Sequence, residues 1–171
     1  INHDNLRYLD DTMPANVHTI YSNRHSLINL LPKIDLLIGA VLVVGAKAPK
    51  LINRELLSLM QKGSVVVDVS VDQGGCIETT RPTTHQNPTF IEEDVTHYCV
   101  ANMPGSVPFT STTALCNATF KYVKQLASYG IDSFKNDSVL LKGLNTFKGH
   151  VTHPAVAKSF NLNYTDPLTL L

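Results

Sequence analysis

The stretch VVVDVSVDQGG (residues 65–75) sets a run of β-branched residues against an aspartate and two glycines. Bounded by Gly63 and by Gly74-Gly75, residues 65–71 predict a β-strand, and their near-continuous apolarity predicts burial on both faces, as in a parallel sheet. Side chains alternate along a strand, so Asp68, Ser70 and Asp72 would share one side, with only Asp72 at the carboxyl end. That end of an open α/β sheet is where ligands bind. An aspartate there, partly desolvated, could shuttle a proton, with Gly74 and Gly75 letting a ligand approach the backbone closely. A turn-forming or helix-capping aspartate fits the same position.

The flanks extend the pattern. VHTIY (17–21) predicts a strand, RHSLINLLPK (24–33) a short helix after the cap Ser22-Asn23, and DLLIGAVLV (35–43) a second strand. NRELLSLMQKG (53–63) predicts a helix capped by Asn53 and stopped by Gly63, and THYCVANM (96–103) a further strand. This βαβα rhythm predicts an α/β fold with a parallel sheet. After a boundary near Pro108 the pattern changes. STTALCNATFKYVKQLASYG (111–130) places Leu115, Ala118, Tyr122 and Leu126 at helical spacing, with a Ser/Thr cap and a terminal glycine. The remainder predicts short helices and turns. INHDNLRYLDD (1–11) reads as a helix with no strand before it, and no G-x-G-x-x-G occurs, so the chain reads as entering the middle of a domain.

The 171 residues suit one domain or slightly more, and 43% hydrophobic with 16% charged residues describe a globular chain. Fourteen basic and fourteen acidic residues cancel, which removes the charge footprint of a nucleic-acid binder and any polybasic membrane anchor. The polar N-terminus is unlike a signal peptide, and the longest apolar run, LLIGAVLVVGA (36–46), is too short for the roughly 20 residues of a membrane span. These features predict a soluble cytoplasmic protein, with Cys76, Cys99 and Cys116 as reduced thiols.

Other residues offer chemistry beside a plainer role. In AVLVVGAKAPKL (40–51), Val41 and Leu42 could lie against a flat ligand, Gly45 and Pro49 shape the loop, and Lys47 either meets substrate or solvates the loop. In VANMPGSVP (100–108), Asn102 and Met103 end a strand before a Pro-Gly turn, where a methionine serves as core filler or as a ligand contact. His150 and His153 form an H-x-x-H without a companion ligand set, so no metal site is expected. His97 reads as a satisfied interior histidine, and Arg81 and His85 as loop residues that either reach a ligand or solvate the loop.

Four blocks together carry a resemblance: IGAVLVVGAKAPKL (38–51), VVVDVSVDQGGCIETTRPTTHQNPTF (65–90), VANMPGSVPFTSTTALCNAT (100–119) and LLKGLNTFKGHV (140–151). In order and spacing they resemble alanine dehydrogenase, and less closely the proton-translocating transhydrogenase. The resemblance implies an NAD-dependent enzyme that oxidatively deaminates L-alanine to pyruvate and ammonium, reversibly. It implies a Rossmann-like, doubly wound parallel sheet. Residues 1–108 would be the second part of the NAD-binding domain, and residues 109–171 a helical returning part of the substrate domain. A leading part, in the same or another chain, would bring the substrate-binding arginine and lysine, the catalytic histidine, the glycine-rich turn and the ribose-binding aspartate. Without it this chain would be inactive. A homo-oligomer, usually a hexamer, is also implied. The alternatives are a non-catalytic remnant or oligomerisation module, and a transhydrogenase-like NAD-binding module.

By position, Asp72 matches the family's catalytic aspartate, acting with the histidine on the imine and carbinolamine steps. Ser22 resembles the serine near the adenosine, and Val41 and Leu42 the pair packed on the cofactor. Val69, Ser70, Val71 and Asp72 would lie along the nicotinamide side, Arg81 matches another cofactor contact, and Val100, Ala101, Asn102 and Met103 match a strand end beside the nicotinamide. Three residues depart from the family pattern. Asn5 stands where a basic residue is usual near the adenine ribose, Val44 where proline is usual, and Phe109 where a basic residue is usual.

Overall fold

The computed structural model describes residues 2–44 and 47–171, so Gly45 lies outside the described residues. The chain forms two compact units. One comprises Ile1–Val41 and Pro49–Ala101, the other Leu42–Ala48 and Asn102–Leu171.

The first unit is built on a four-stranded sheet. Its strands are β1 (Leu36–Gly39), β2 (Val65–Asp68), β3 (Thr89–Glu92) and β4 (Val95–Tyr98), in the spatial order β1-β2-β4-β3. The register of β1, β2 and β4 is parallel, with Val66 lying between Leu37 and His97. β3 runs antiparallel to β4 at the edge. Helices α1 (His3–Thr12), α2 (Arg24–Leu30) and α3 (Arg54–Leu57) are each capped by an asparagine. The side chains of Asn2, Asn23 and Asn53 accept hydrogen bonds from first-turn amides. The fold is α/β, as the βαβα rhythm predicts, and Rossmann-like, as the resemblance implies.

Burial departs from expectation. Val66, Asp68, Val95 and His97 lie on one face and are fully buried, with Leu31, Ile52, Leu56, Leu57 and Met60 also in the core. On the other face Leu36, Ile38 and Ile91 are 51%, 59% and 71% exposed. The sheet is therefore packed on one face and open on the other.

Several elements are shorter or different than predicted. VHTIY (17–21) is not a strand: it has no ladder partner among the described residues, and Val17, Ile20 and Tyr21 are exposed. α3 ends at Leu57 because Leu59 and Met60 turn their amides to the carbonyls three residues back. Gly63 (φ +81°) donates instead to Asp94. The β3–β4 hairpin was not foreseen. Its two turn residues, Glu93 and Asp94, hold positive φ of 52° and 58°. Arg54 bonds Glu92 and Glu93, and Lys62 bonds Asp94 at 2.8 Å.

The largest correction concerns residues 65–71. β2 stops at Asp68, and Val69–Gln73 winds into a 3-10 turn. Ser70 and Asp72 therefore do not continue a strand face with Asp68. The cause is the Asp68 side chain, which is fully buried and gathers donors from both sides of the turn. Oδ1 accepts from the Ser70 amide at 3.0 Å. Oδ2 accepts from the Cys76 amide at 3.0 Å, the Ile77 amide at 3.3 Å and the Thr80 hydroxyl at 2.7 Å. These contacts fold the segment back over the strand end. Gly75 (φ +73°) is where the backbone passes closest. A Cβ there would lie 2.8 Å from Asp68 Oδ2 and collide with the Thr80 hydroxyl. Gly74 (φ +91°) faces open space. The two glycines thus have different duties, and the close approach at Gly75 is to Asp68 rather than to a ligand.

The second unit holds α4 (Pro108–Tyr129), which starts at a proline with no side-chain cap and ends at Gly130, so the predicted Ser/Thr cap is not used. Leu115 is 64% exposed, and no α4 residue is fully buried. Short helices α5 (Asp132–Asn136), α6 (Ser138–Gly143) and α7 (Pro154–Phe160) follow, with a hairpin of β5 (Thr146–Phe147) and β6 (His150–Val151) between α6 and α7.

Gly74 and Gly75 give a direct comparison. Gly75→Ala should cost about 3 kcal/mol or more of stability, because strain at positive φ adds to a collision with a buried carboxylate. Gly74→Ala should cost about 1–2 kcal/mol from strain alone. Urea denaturation of both variants checks the order, and equal losses would remove the assigned role of Gly75.

Candidate functional site

In the first unit the carboxyl ends of the parallel strands lead into residues 40–41, 69–73 and 99–101. These segments are joined by hydrogen bonds. The Val41 amide donates to Ser70 Oγ at 2.7 Å, tying the chain beyond β1 to the turn beyond β2. Beyond β4, the Thr83 amide donates to the Cys99 carbonyl and the Ala101 amide to the Thr83 carbonyl, continuing a parallel pairing of Thr83 with Val100. Lys50 Nζ donates to the carbonyls of Gly74 at 2.7 Å and Ile77 at 3.0 Å. The edge is thus a bonded platform rather than a set of loose loops.

The sequence-derived residues occupy it unevenly. Asp72 is exposed, in the middle of the 3-10 turn. Val69 beside it is 52% exposed. Ser70 and Val71 are buried, as is Val100, so their side chains serve packing or, for Ser70, hold Val41. Ala101 is half-buried. Ser22 and Val41 line one cavity of about 200 Å³ together with Leu27, Leu37, Gly39 and Ile77. Its walls are mainly apolar, with Ser22 as the one hydroxyl-bearing residue among those lining it. That lining suits a flat heterocycle held by apolar contact and one or two hydrogen bonds.

Arg81 is exposed, and its guanidinium lies 4.2 Å from the centroid of the Phe90 ring. Phe90 stacks in turn on His97, with centroids 4.9 Å apart. His97 Nδ1 lies 2.9 Å from the Val95 carbonyl, which only accepts, so Nδ1 carries the proton and Nε2 accepts from the Thr79 hydroxyl at 2.8 Å. His97 is the satisfied interior histidine expected. Phe90 lies on β3, a four-residue strand that the sequence pattern does not mark.

Asp68 is the other residue whose role the sequence reading did not identify. Every group bonded to its carboxylate is a donor, which suits an acceptor-only anion. The buried Cys76 thiol lies 3.6 Å from Oδ1. Burial pushes that thiol's pKa up, and the Asp68 charge pushes it further. Burial also raises Cys99. Neither is a reactive thiolate. Gly39 matters here too, since a Cβ would come 2.5 Å from Cys76 Sγ.

In the second unit, Leu42 is 71% exposed and Met103 half-buried. Asn102 adopts a left-handed conformation (φ 69°, ψ 58°) at the start of the turn Met103–Ser106. It lines a hollow of about 700 Å³ with Pro104, Gly105, Pro108, Ser111 and Leu115. Of the residues that depart from the family pattern, Asn5, Val44 and Phe109 are all exposed. Lys47 is exposed as well. Among the described residues no helix is long and apolar enough to cross a membrane, and no cluster of three or more His, Cys, Asp or Glu could hold a metal ion.

Comparison with known proteins gives a consistent result. The family model described as alanine dehydrogenase/PNT, C-terminal domain, matches residues 1–154. The chain is 51% identical over 167 residues to an alanine dehydrogenase of Staphylococcus haemolyticus (strain JCSC1435), covering 96% of this chain and 45% of that protein. It is 49% identical over 166 residues to alanine dehydrogenase 2 of Staphylococcus aureus (strain USA300), with the same coverage. A solved L-alanine dehydrogenase superposes with a TM-score of 0.82 at 46% identity, over 94% of this chain and 45% of that one. The chain spans less than half the length of these relatives. With a family match over most of its length and a shared fold, the chain belongs to the alanine dehydrogenase/PNT C-terminal domain family.

Proposed function

We propose that this chain supplies part of the cofactor-binding and proton-handling apparatus of an NAD-dependent enzyme that interconverts L-alanine and water with pyruvate and ammonium. The observation that carries the reading is Asp72: a carboxylate exposed at the carboxyl edge of three parallel strands, on a turn held rigidly from beneath. The relatives' names support the substrate.

Residues 1–108 are assigned to the second part of an NAD-binding domain and residues 109–171 to the C-terminal part of a substrate domain. The apolar lining of the cavity with Ser22 and Val41 suits the adenosine end of a dinucleotide. Val69 and the backbone of residues 70–72 and 100–101 are assigned to the nicotinamide side, and Arg81 to a further cofactor contact. Leu42, Asn102 and Met103 are assigned as additional cofactor contacts. Bound NAD would supply the hydride acceptor for the alanine α-carbon. Asp72 then holds or moves the proton at the substrate nitrogen and at the oxygen of the water that adds to the imine carbon. Its exposure lets it exchange that proton with solvent between steps.

The pyrophosphate of a dinucleotide normally rests on a glycine-rich turn at a helix N-terminus. No G-x-G-x-x-G occurs in these 171 residues, so that contact is assigned to residues beyond them, and the 171 residues alone are expected to be inactive. Assembly as a homo-oligomer, a hexamer by family resemblance, belongs to the same reading.

Two experiments on the full-length protein follow. Asp72→Asn should lower alanine-dependent NADH formation by about 10²-fold, with NAD affinity nearly unchanged; turnover like the wild type would end the assignment. Leu42→Ala and Met103→Ala should each weaken NAD binding by about 1–3 kcal/mol through lost apolar contact. Calorimetry giving unchanged affinity in both would remove them from the cofactor contacts.

A further inference from the structure

We propose that Asp68 is a positioning residue: its buried carboxylate sets the turn that presents Asp72 and, through Ser70, the backbone of Val41. The proposal rests on the reading of Asp72 given above and adds a residue to it.

Three observations combine. First, Asp68 is 0% exposed, and no cationic side chain bonds it among the described residues. Its charge is met by oriented N–H and O–H donors, with the weaker Cys76 S–H at 3.6 Å, an arrangement that is directional and therefore shape-determining. Second, those donors come from both limbs of the turn. Ser70 lies before Asp72, and Cys76, Ile77 and Thr80 lie after it. Among the described residues the Asp72 side chain makes no hydrogen bond or ion pair, so its place is set by the backbone on either side. Third, the Ser70 amide that Asp68 accepts belongs to the residue whose hydroxyl oxygen accepts the Val41 amide at 2.7 Å. One carboxylate thus sets two strand ends.

The same geometry distinguishes Asp68 from a generic core residue. Replacing it by asparagine keeps the size but turns an amide NH2 toward groups that are themselves donors. Thr80 offers a second, milder handle. Its hydroxyl oxygen lies 2.7 Å from Asp68 Oδ2 and 2.8 Å from the Ile77 carbonyl oxygen, and its single hydrogen is shared between them. Thr80→Val removes that hydroxyl with little change of shape, and Thr80→Ser keeps it.

The test uses Asp68→Asn, Thr80→Val and Thr80→Ser in the full-length protein, with Asp72→Asn alongside. Amide hydrogen exchange gives the first readout. In Asp68→Asn and Thr80→Val, protection should fall at Val41 and Asp72, which Asp68 does not touch, as well as at Ser70, Cys76 and Ile77. Thr80→Ser should leave all five as in the wild type. The second readout is alanine oxidation per folded molecule. Asp68→Asn should lower kcat by on the order of 10- to 100-fold, the loss expected when a reacting group shifts by about an ångström. Thr80→Val should lower it less, and Thr80→Ser not at all. The pH profile of alanine oxidation should keep its wild-type shape in both slower variants, since Asp72 itself is retained. If Asp68→Asn fails to fold, the Thr80 pair decides. Loss of protection confined to the directly bonded amides would overturn the proposal, as would Thr80→Val and Thr80→Ser with equal kcat. A wild-type protein without alanine-dependent NADH formation would sink the proposed reaction, while exchange at Val41 would still decide whether Asp68 positions the edge.

Discussion

A carboxylate without water must be surrounded by donors, and at Asp68 that requirement shapes the chain on either side. An ionised group in the interior costs several kcal/mol unless hydrogen bonds replace its hydration. Here the Ser70, Cys76 and Ile77 amides and the Thr80 hydroxyl supply them. Bringing those donors to one point ends β2 at Asp68, winds Val69–Gln73 into a tight turn and folds residues 74–80 back across the strand end. Small residues follow from the same demand. Gly75 has no side chain to strike the carboxylate, and Gly39 leaves room for the Cys76 sulfur that lies against it.

From that point the rest of the edge is ordered. Ser70 carries the constraint to Val41, and the pairing of Thr83 with Val100 carries the returning chain to the end of β4. Parallel strands that end in mutually bonded turns offer a ligand fixed backbone groups with little ordering cost on binding. The chemistry is then left to few side chains. Asp72 projects from the turn into solvent, whereas Val71 and Val100 face inward and can meet a ligand only through their backbone. The reverse face of the sheet is open at Leu36, Ile38 and Ile91, unlike parallel sheets covered on both sides.

Much of this was legible in the residues. The valine run located β2, Asn23 and Asn53 marked two helix starts, and the family resemblance follows from four blocks in register. The sequence did not disclose where β2 stops, since Val69 and Val71 favour extended backbone as strongly as Val65 and Val67 do. A tertiary demand, the hydrogen bonds of Asp68, overrides that preference. Two aspartates stand four residues apart in the same motif, and only burial separates the structural one from the exposed one. The hairpin at Glu93-Asp94 was hidden because its turn lacks the glycine or asparagine that marks such turns. Salt bridges from Arg54 and Lys62, distant in sequence, hold those acids instead. By contrast, the Lys148-Gly149 turn between β5 and β6 carried a readable glycine. VHTIY has strand composition, but composition cannot supply the neighbouring strand that a ladder needs.

The most direct test is a crystal structure of the full-length protein with NAD and pyruvate. The account predicts the nicotinamide ring in van der Waals contact with Val69 and the backbone of residues 70–72. It also predicts the Asp72 carboxylate within hydrogen-bond distance of the substrate or of a water at its reacting carbon, with the four Asp68 hydrogen bonds unchanged. A dinucleotide bound away from this edge, or Asp72 turned into bulk solvent while substrate is held elsewhere, would contradict it.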